Sequence, residues 1–163
     1  MPIEKIVSGG QTGADRAALD VAIELGLPHG GWIPAGRLAE DGRIPGCYNL
    51  QETPSADPAQ RTEWNIRDSD ATLIISNGQL MGGSQLTHEL AMQYGKPCLH
   101  VDLAEVAVEN AVYEITEWLH STQCKVLNVA GPRSSEDSEI YRRARDMLSK
   151  YIVNPSKTHT TPH

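Results

Sequence analysis

The sequence has little material for disulfide chemistry. Cys47, Cys98 and Cys124 are odd in number and scattered, and there is no Cys-x-x-Cys pair. That argues against a disulfide framework or a structural zinc site, and a reducing cytoplasm is the expected location. The six histidines show no metal-ligand spacing, so no metal site is expected. No apolar run approaches the ~20 residues that span a bilayer, and the start of the chain has no signal-peptide profile. Positive charge is also short, with 14 Lys and Arg against 21 Asp and Glu, a formal net charge of −7. Nucleic acid and anionic membranes, which bind by phosphate neutralisation, are therefore poor partners. A single local site for a small anion remains compatible with that charge. Internal repeats and low-complexity segments are absent. Phenylalanine is absent too, and we have no physical account of that.

What is present is organised around Ile6-Val7-Ser8-Gly9-Gly10-Gln11-Thr12-Gly13-Ala14-Asp15-Arg16. A β-branched run stops at a glycine pair, and a helical pattern opens directly after it. Helix N-termini attract anions through their free N–H groups and the helix dipole. Glycines at 9, 10 and 13 would let a ligand approach the backbone closely. The stretch reads either as a phosphate-binding turn or as a plain β–α turn with Thr12 as N-cap and Asp15 at N3. It is neither a Walker loop nor a Gly-x-Gly-x-x-Gly fingerprint.

Further along, the first helix should end near Gly26, and 29–33 reads as a short, weak strand. Residues 34–58 carry no sustained periodicity and are punctuated by Pro and Gly, yet contain Ile44, Tyr48, Leu50, Arg37, Glu40, Asp41 and Arg43. This segment is expected to be an ordered loop lying over the site, with Glu40 and Asp41 fixing the loop itself. Asp57-Pro58 supplies an N-cap and a proline at N1 for a second helix. On that helix Arg61, Trp64, Asn65 and Asp68 share a face. Residues 71–76 are a continuous β-branched strand, 84–94 a helix, 97–101 a strand, 104–121 a helix, 126–129 a strand and 136–151 a helix. The alternation predicts a Rossmann-like doubly wound parallel sheet of about five strands with helices on both faces. One domain over residues 1–153 and a frayed polar tail over 154–163 are expected. Glycine-bearing turns follow Ser8, Ser76 and Ala130, and ligands in such sheets bind at the carboxyl ends of the strands.

The second turn, Gly82-Gly83-Ser84-Gln85-Leu86-Thr87-His88-Glu89, is again a glycine pair feeding a helix. Two such turns can converge on one polyanion. With both in view, the sequence resembles the SLOG superfamily, and more closely its circularly permuted YpsA-like branch, often labelled putative molybdenum carrier. The resemblance covers residues 4–102. It rests on Ser8–Arg16, Gly31-Trp32-Ile33-Pro34, Ala39–Pro45, Arg61-Thr62-Glu63-Trp64-Asn65 and Gly83-Ser84-Gln85-Leu86-Thr87.

The resemblance implies a Rossmann-like fold, a nucleotide or molybdopterin-type phosphorylated heterocycle as ligand, and a homo-oligomer, dimer or tetramer. Residues expected to bind the ligand are Gly9, Gly10, Gln11, Thr12, Gly13, Asp15, Arg16, Arg61, Trp64, Asn65, Gly82, Gly83, Ser84 and Thr87. Trp64 would stack a heterocycle beside Arg61. Phosphoribohydrolase relatives carry Gly-Gly-x-Gly-Thr-x-x-Glu. Gly82, Gly83 and Glu89 match that motif, whereas Gln85 and Leu86 depart from it. The leading expectation is therefore a carrier or sensor of a small phosphorylated molecule. The competing one is an enzyme cleaving an N-glycosidic bond, with Glu89 facing the cradle as its catalytic carboxylate. A structural homo-oligomer with a degenerate site is the third.

Overall fold

The computed structural model describes residues 3–153, and the expected polar tail lies outside them. Strand β1 (Lys5–Val7) stops at the first glycine pair, and helix α1 (Ala14–Glu24) follows. Its N-cap is Gly13, not Thr12, because Gly13 takes a left-handed φ of 83° and Thr12 turns its hydroxyl elsewhere. The helix ends as expected at Gly26 (φ 69°). Gly26 N–H reaches Ile23 O at 3.2 Å and Leu27 N–H reaches Ala22 O at 2.9 Å, a Schellman closure.

The weak strand at 29–33 is two strands separated by Gly31. Strand β2 (His29–Gly30) pairs with β1, while β3 (Trp32–Ile33) turns away to pair with β6 (Gln51–Glu52). Gly31 sits at φ 134° with an added Cβ placed 2.2 Å from Ser8 O, so only glycine can make this bend. Between them a hairpin pairs β4 (Leu38–Ala39) with β5 (Gly42–Arg43). Helix α2 (Pro58–Arg67) begins with Asp57 Oδ1 accepting Ala59 N–H at 3.0 Å. Strand β7 (Ala71–Ser76), helix α3 (Gly82–Gln93), strand β8 (Cys98–Asp102), helix α4 (Val108–Thr122), strand β9 (Val126–Ala130) and helix α5 (Ile140–Val153) complete the chain. Both late helices start about four residues after their expected positions, because turns occupy the preceding residues. Asp102 Oδ1 accepts Ala104 N–H at 2.9 Å, and Arg133 O accepts Glu136 and Asp137 N–H at 2.9 and 3.1 Å.

The main sheet is fully parallel in the order β2-β1-β9-β7-β8. The last strand in sequence therefore lies in the middle, between β1 and β7. Counting β9 as the first strand turns this order into 3-2-1-4-5, the order of a dinucleotide-binding sheet. The chain is such a sheet cut between its first and second strands. Helices α1, α4 and α5 share one core with the sheet, built on Ala17, Ala18, Ile115, Leu127, Val129 and Met147. Helices α2 and α3 pack on each other. Strand β7 is buried along its whole length, as expected for a strand covered on both faces.

The 34–57 segment is ordered but does not roof a site. It clamps the outer side of α1, where Leu19, Ile33, Ile44, Tyr48 and Leu50 form a second small core. Tyr48 donates its hydroxyl to Asp20 at 2.6 Å, and Arg37 donates to the carbonyls of Leu50, Ile44, Pro45 and Tyr48 within 3.0–3.4 Å.

Candidate functional site

The carboxyl ends of β1 and β9, with the start of the helix that follows β7, open on a cavity of about 230 Å³. It lies at the point where the strand order reverses, the general position for ligands in open α/β sheets. Its floor is Asn128–Gly131. One wall is Gly9, Gln11 and Asp15, another Pro58, Arg61, Thr62 and Asn65 of α2, and a third Gly82, Gly83, Ser84 and Thr87 of α3. Arg133 and Glu136 stand at the rim.

Each wall follows from local sequence. Helix α3 starts at a glycine pair, and its N-cap, Met81, offers no side-chain acceptor to the first amides. Ser84 and Thr87 are buried on the cavity side, and Thr87 folds its hydroxyl back onto Gly83 O at 2.8 Å. Ser84 hydroxyl makes no hydrogen bond to protein among the described residues, although the residue is 5 % exposed. An uncapped N-terminus beside an available hydroxyl is suited to a phosphate or other oxyanion.

Arg61 adds positive charge. Its Nη1 donates to Gly9 O at 2.6 Å and its Nε to Thr62 Oγ1 at 3.2 Å. Among the described residues no carboxylate lies within ion-pair distance of it. A Cβ at Gly9 would sit 2.7 Å from Arg61 Nη1, so any larger residue there would shift the Arg61 side chain. Asn65 faces two ways, bridging the Trp32 backbone (N–H to Oδ1 2.8 Å, Nδ2 to O 3.0 Å) while lining the cavity.

Asp15 is the carboxylate of the inner wall. It is 7 % exposed, and Oδ2 accepts Gln11 N–H at 3.3 Å. Burial pushes its pKa up to about 6, against the opposing field of Arg61, the Gln11 hydrogen bond and Arg16.

The first glycine turn is less open than its sequence suggests. Gly10 N–H goes to Ser8 Oγ (3.3 Å), Gln11 N–H to Asp15, Thr12 N–H to Gln11 Oε1 (3.0 Å) and Ala14 N–H to Pro132 O (3.2 Å). Gly10 points its missing side chain at Ile33, Ile44 and Leu50, not at the cavity. Gly13 is glycine because Pro132 O would lie 2.3 Å from a Cβ. Thr12 hydroxyl donates to Glu40 and accepts Ser134 N–H at 3.0 Å. Arg16 is 9 % exposed, engaged by Asp41 at 3.0 and 3.1 Å and by Gly10 O at 3.1 Å. None of Gly10, Thr12, Gly13 or Arg16 lines the cavity. The α1 end of the cradle is a fastening, and the open amides belong to α3.

Trp64 does not line it either. Trp64 packs edge-on against Trp32 at 4.8 Å between ring centroids, with the Arg67 guanidinium 4.5 Å from its ring centre. Glu89 is exposed and outside the lining, because it follows the inward Thr87 by two positions and so points to nearly the opposite side of α3. Glu40 and Asp41 order the loop, as the sequence suggested. Ser135 and Thr12 hydroxyls hold the Glu40 carboxyl below the usual range, and Glu40 also accepts Ser135 N–H at 3.1 Å.

Sequence reasoning missed Pro58, Thr62, Asn128, Arg133 and Glu136. Asn128 had a usable signal as the one polar residue in Val-Leu-Asn-Val-Ala; it is 3 % exposed and donates to Thr72 Oγ1 at 3.2 Å. Ser76 and His100 form a close pair (Oγ–Nε2 2.6 Å) near the end of β7. The serine oxygen also lies 2.7 Å from Gly78 O, which accepts its hydroxyl. Among the described residues no group of three or more His, Cys, Asp or Glu converges as a metal site.

Comparison with known proteins agrees with the fold. No curated protein matches the chain. A crystal structure named Putative molybdenum carrier protein, from Syntrophus aciditrophicus SB, is 56 % identical and superposes with a TM-score of 0.91 over 92 % of this chain and 95 % of that one. The family model described as the circularly permutated YpsA SLOG family matches residues 6–152. That span reaches all five main-sheet strands, the permuted β9 among them, and the chain belongs to this family.

Proposed function

We propose that the protein binds and carries a small phosphorylated molecule of nucleotide or pterin type, seated in the cavity between β9 and β7. The observation that carries this reading is the meeting of the uncapped α3 N-terminus, the free Ser84 hydroxyl and the carboxylate-free Arg61 on one polar cavity. Such donors suit a phosphate or an oxyanion, whose charge they neutralise through N–H and O–H groups. They do not suit a bare cation. If molybdenum is the cargo, as the name of the 56 % identical structure has it for that protein, it would enter as an oxyanion or inside a phosphorylated ligand. The position of Glu89 outside the lining supports the carrier reading over the N-glycosidic one.

The test is calorimetric titration with inorganic phosphate, molybdate, nucleoside monophosphates and a phosphorylated pterin, alongside native mass spectrometry of freshly purified protein. At least one phosphorylated heterocycle should bind saturably, and Arg61→Gln should weaken it by about tenfold or more. Release of free base at turnover rates would replace this reading with the enzymatic one. The same spectra count subunits and test the self-association we include in the proposal.

A further inference from the structure

The sheet order places β1 where the second strand of a dinucleotide-binding sheet stands. In such sheets an acidic residue associated with the end of that strand accepts hydrogen bonds from ribose hydroxyls. Here the cavity lining contributed after β1 is Gly9, Gln11 and Asp15, and only Asp15 is acidic. The side chain is nine-tenths buried yet reaches the cavity, and its only hydrogen bond among the described residues uses one carboxylate oxygen. No cation takes the other oxygen. Arg16, its neighbour on the helix, is held by Asp41, and Arg61, whose field reaches Asp15, lies outside ion-pair distance of it and donates to Gly9 O and Thr62 instead. A hydrogen-bond acceptor has been left facing a cavity whose other walls attract anions. The ligand must then present a donor opposite its phosphate.

Resting on the nucleotide-type reading above, we infer that Asp15 is the ribose-reading residue of this site. It accepts hydrogen bonds from the vicinal hydroxyls of a ribonucleotide whose phosphate lies toward α3 and Arg61. The charged groups around it are Arg16 on its own helix, Arg61 on α2, and the Arg133–Glu136 pair in the loop before α5; the α3 wall contributes none. Acceptance of two hydroxyls needs the carboxylate. Because burial raises its pKa to about 6, hydroxyl recognition is present near neutrality and is lost as pH falls through that value.

The test compares adenosine 5′-monophosphate with 2′,3′-dideoxyadenosine 5′-monophosphate on wild type and Asp15→Asn. Both carry the same phosphate, so the ratio of their affinities cancels its titration. At about pH 7.5 the ribonucleotide should bind about tenfold tighter. Asp15→Asn should remove most of that ratio, as should lowering wild type to about pH 5. Equal affinities in wild type, or a ratio that survives both changes, overturns the assignment and leaves the anion site standing. Binding of phosphorylated pterin or inorganic phosphate, with neither nucleotide bound, also overturns it. Failure of every phosphorylated compound to bind removes the functional reading together with this inference.

Discussion

Arg16 and Asp41 form a two-pronged ion pair, Nη1 to Oδ2 at 3.0 Å and Nη2 to Oδ1 at 3.1 Å, across 25 positions of sequence. The arginine side chain is 11 % exposed and the aspartate 48 %. The pair fastens the β4–β5 hairpin to the first turn of α1. Asp41→Ala should therefore lower stability by about 1–2 kcal/mol, since it strands a mostly buried guanidinium. Faster tryptic cleavage at Arg37 or Arg43 in the variant is the direct check. Phosphate affinity should stay unchanged, because neither residue lines the cavity.

Glycines 10 and 83 look alike in sequence and should behave oppositely. At Gly10 the backbone is left-handed (φ 71°), and a Cβ would press Ile33 and Leu50 at 3.0 Å. Gly10→Ala should cost about 2–4 kcal/mol, from strain plus overpacking. At Gly83 a Cβ meets open space. Gly83→Asp should hold or raise the melting temperature, because a carboxylate in the first turn suits the helix dipole. It should nonetheless weaken phosphate binding strongly in the same calorimetric assay. Unchanged affinity would show that anions do not seat at α3.

Asp15 also has a stability signature. Its folded pKa, about 6, lies above the 3.8 of an unperturbed aspartate, so the folded state holds the proton more tightly than the unfolded chain. This contribution favours folding at acid pH and is lost as pH rises through about 4 to 6. Glu40 and Asp41, held low by Ser135 and Arg16 respectively, act in the other direction and destabilise the fold in acid. The difference between variants isolates Asp15. Asp15→Asn should be more stable than wild type by on the order of 2 kcal/mol near pH 7.5, and equal to it below about pH 4. Thermal melts across that range measure it.

The cysteines should separate cleanly. Cys47 is exposed, while burial pushes Cys98 up to about 11 and Cys124 up to about 12. Native protein should yield one fast thiol with a disulfide reagent, lost in Cys47→Ser, and three only after denaturation.

Strand and helix order was legible because β7 and the helical segments carry unbroken periodic patterns, and the Asp57-Pro58 and Gly26 boundaries carry their own capping chemistry. The site was legible in part. Glycine pairs mark close backbone approach without saying what approaches. At Gly83 it is open cavity, at Gly10 an apolar cluster, and at Gly13 the Pro132 carbonyl. Arg16 and Trp64 read as ligand groups because their partners, Asp41 and Trp32, lie 25 and 32 positions away. Only folding brings those partners together. Asn128, Arg133 and Glu136 were missed because β9 reaches the middle of the sheet from the far end of the chain.

That late strand sets the order in which the protein can be built. The β1–α1–β2 half and the β7–α3–β8 half have no direct strand pairing and are joined within the sheet only through β9. During synthesis the cavity floor is the last part of the sheet to be made, and the two halves must wait for it with their edges unpaired. Contacts across that span of sequence slow folding and leave sticky edges exposed. A nascent chain stalled before residue 126 should be bound by chaperones, and one extended past α5 should be released from them.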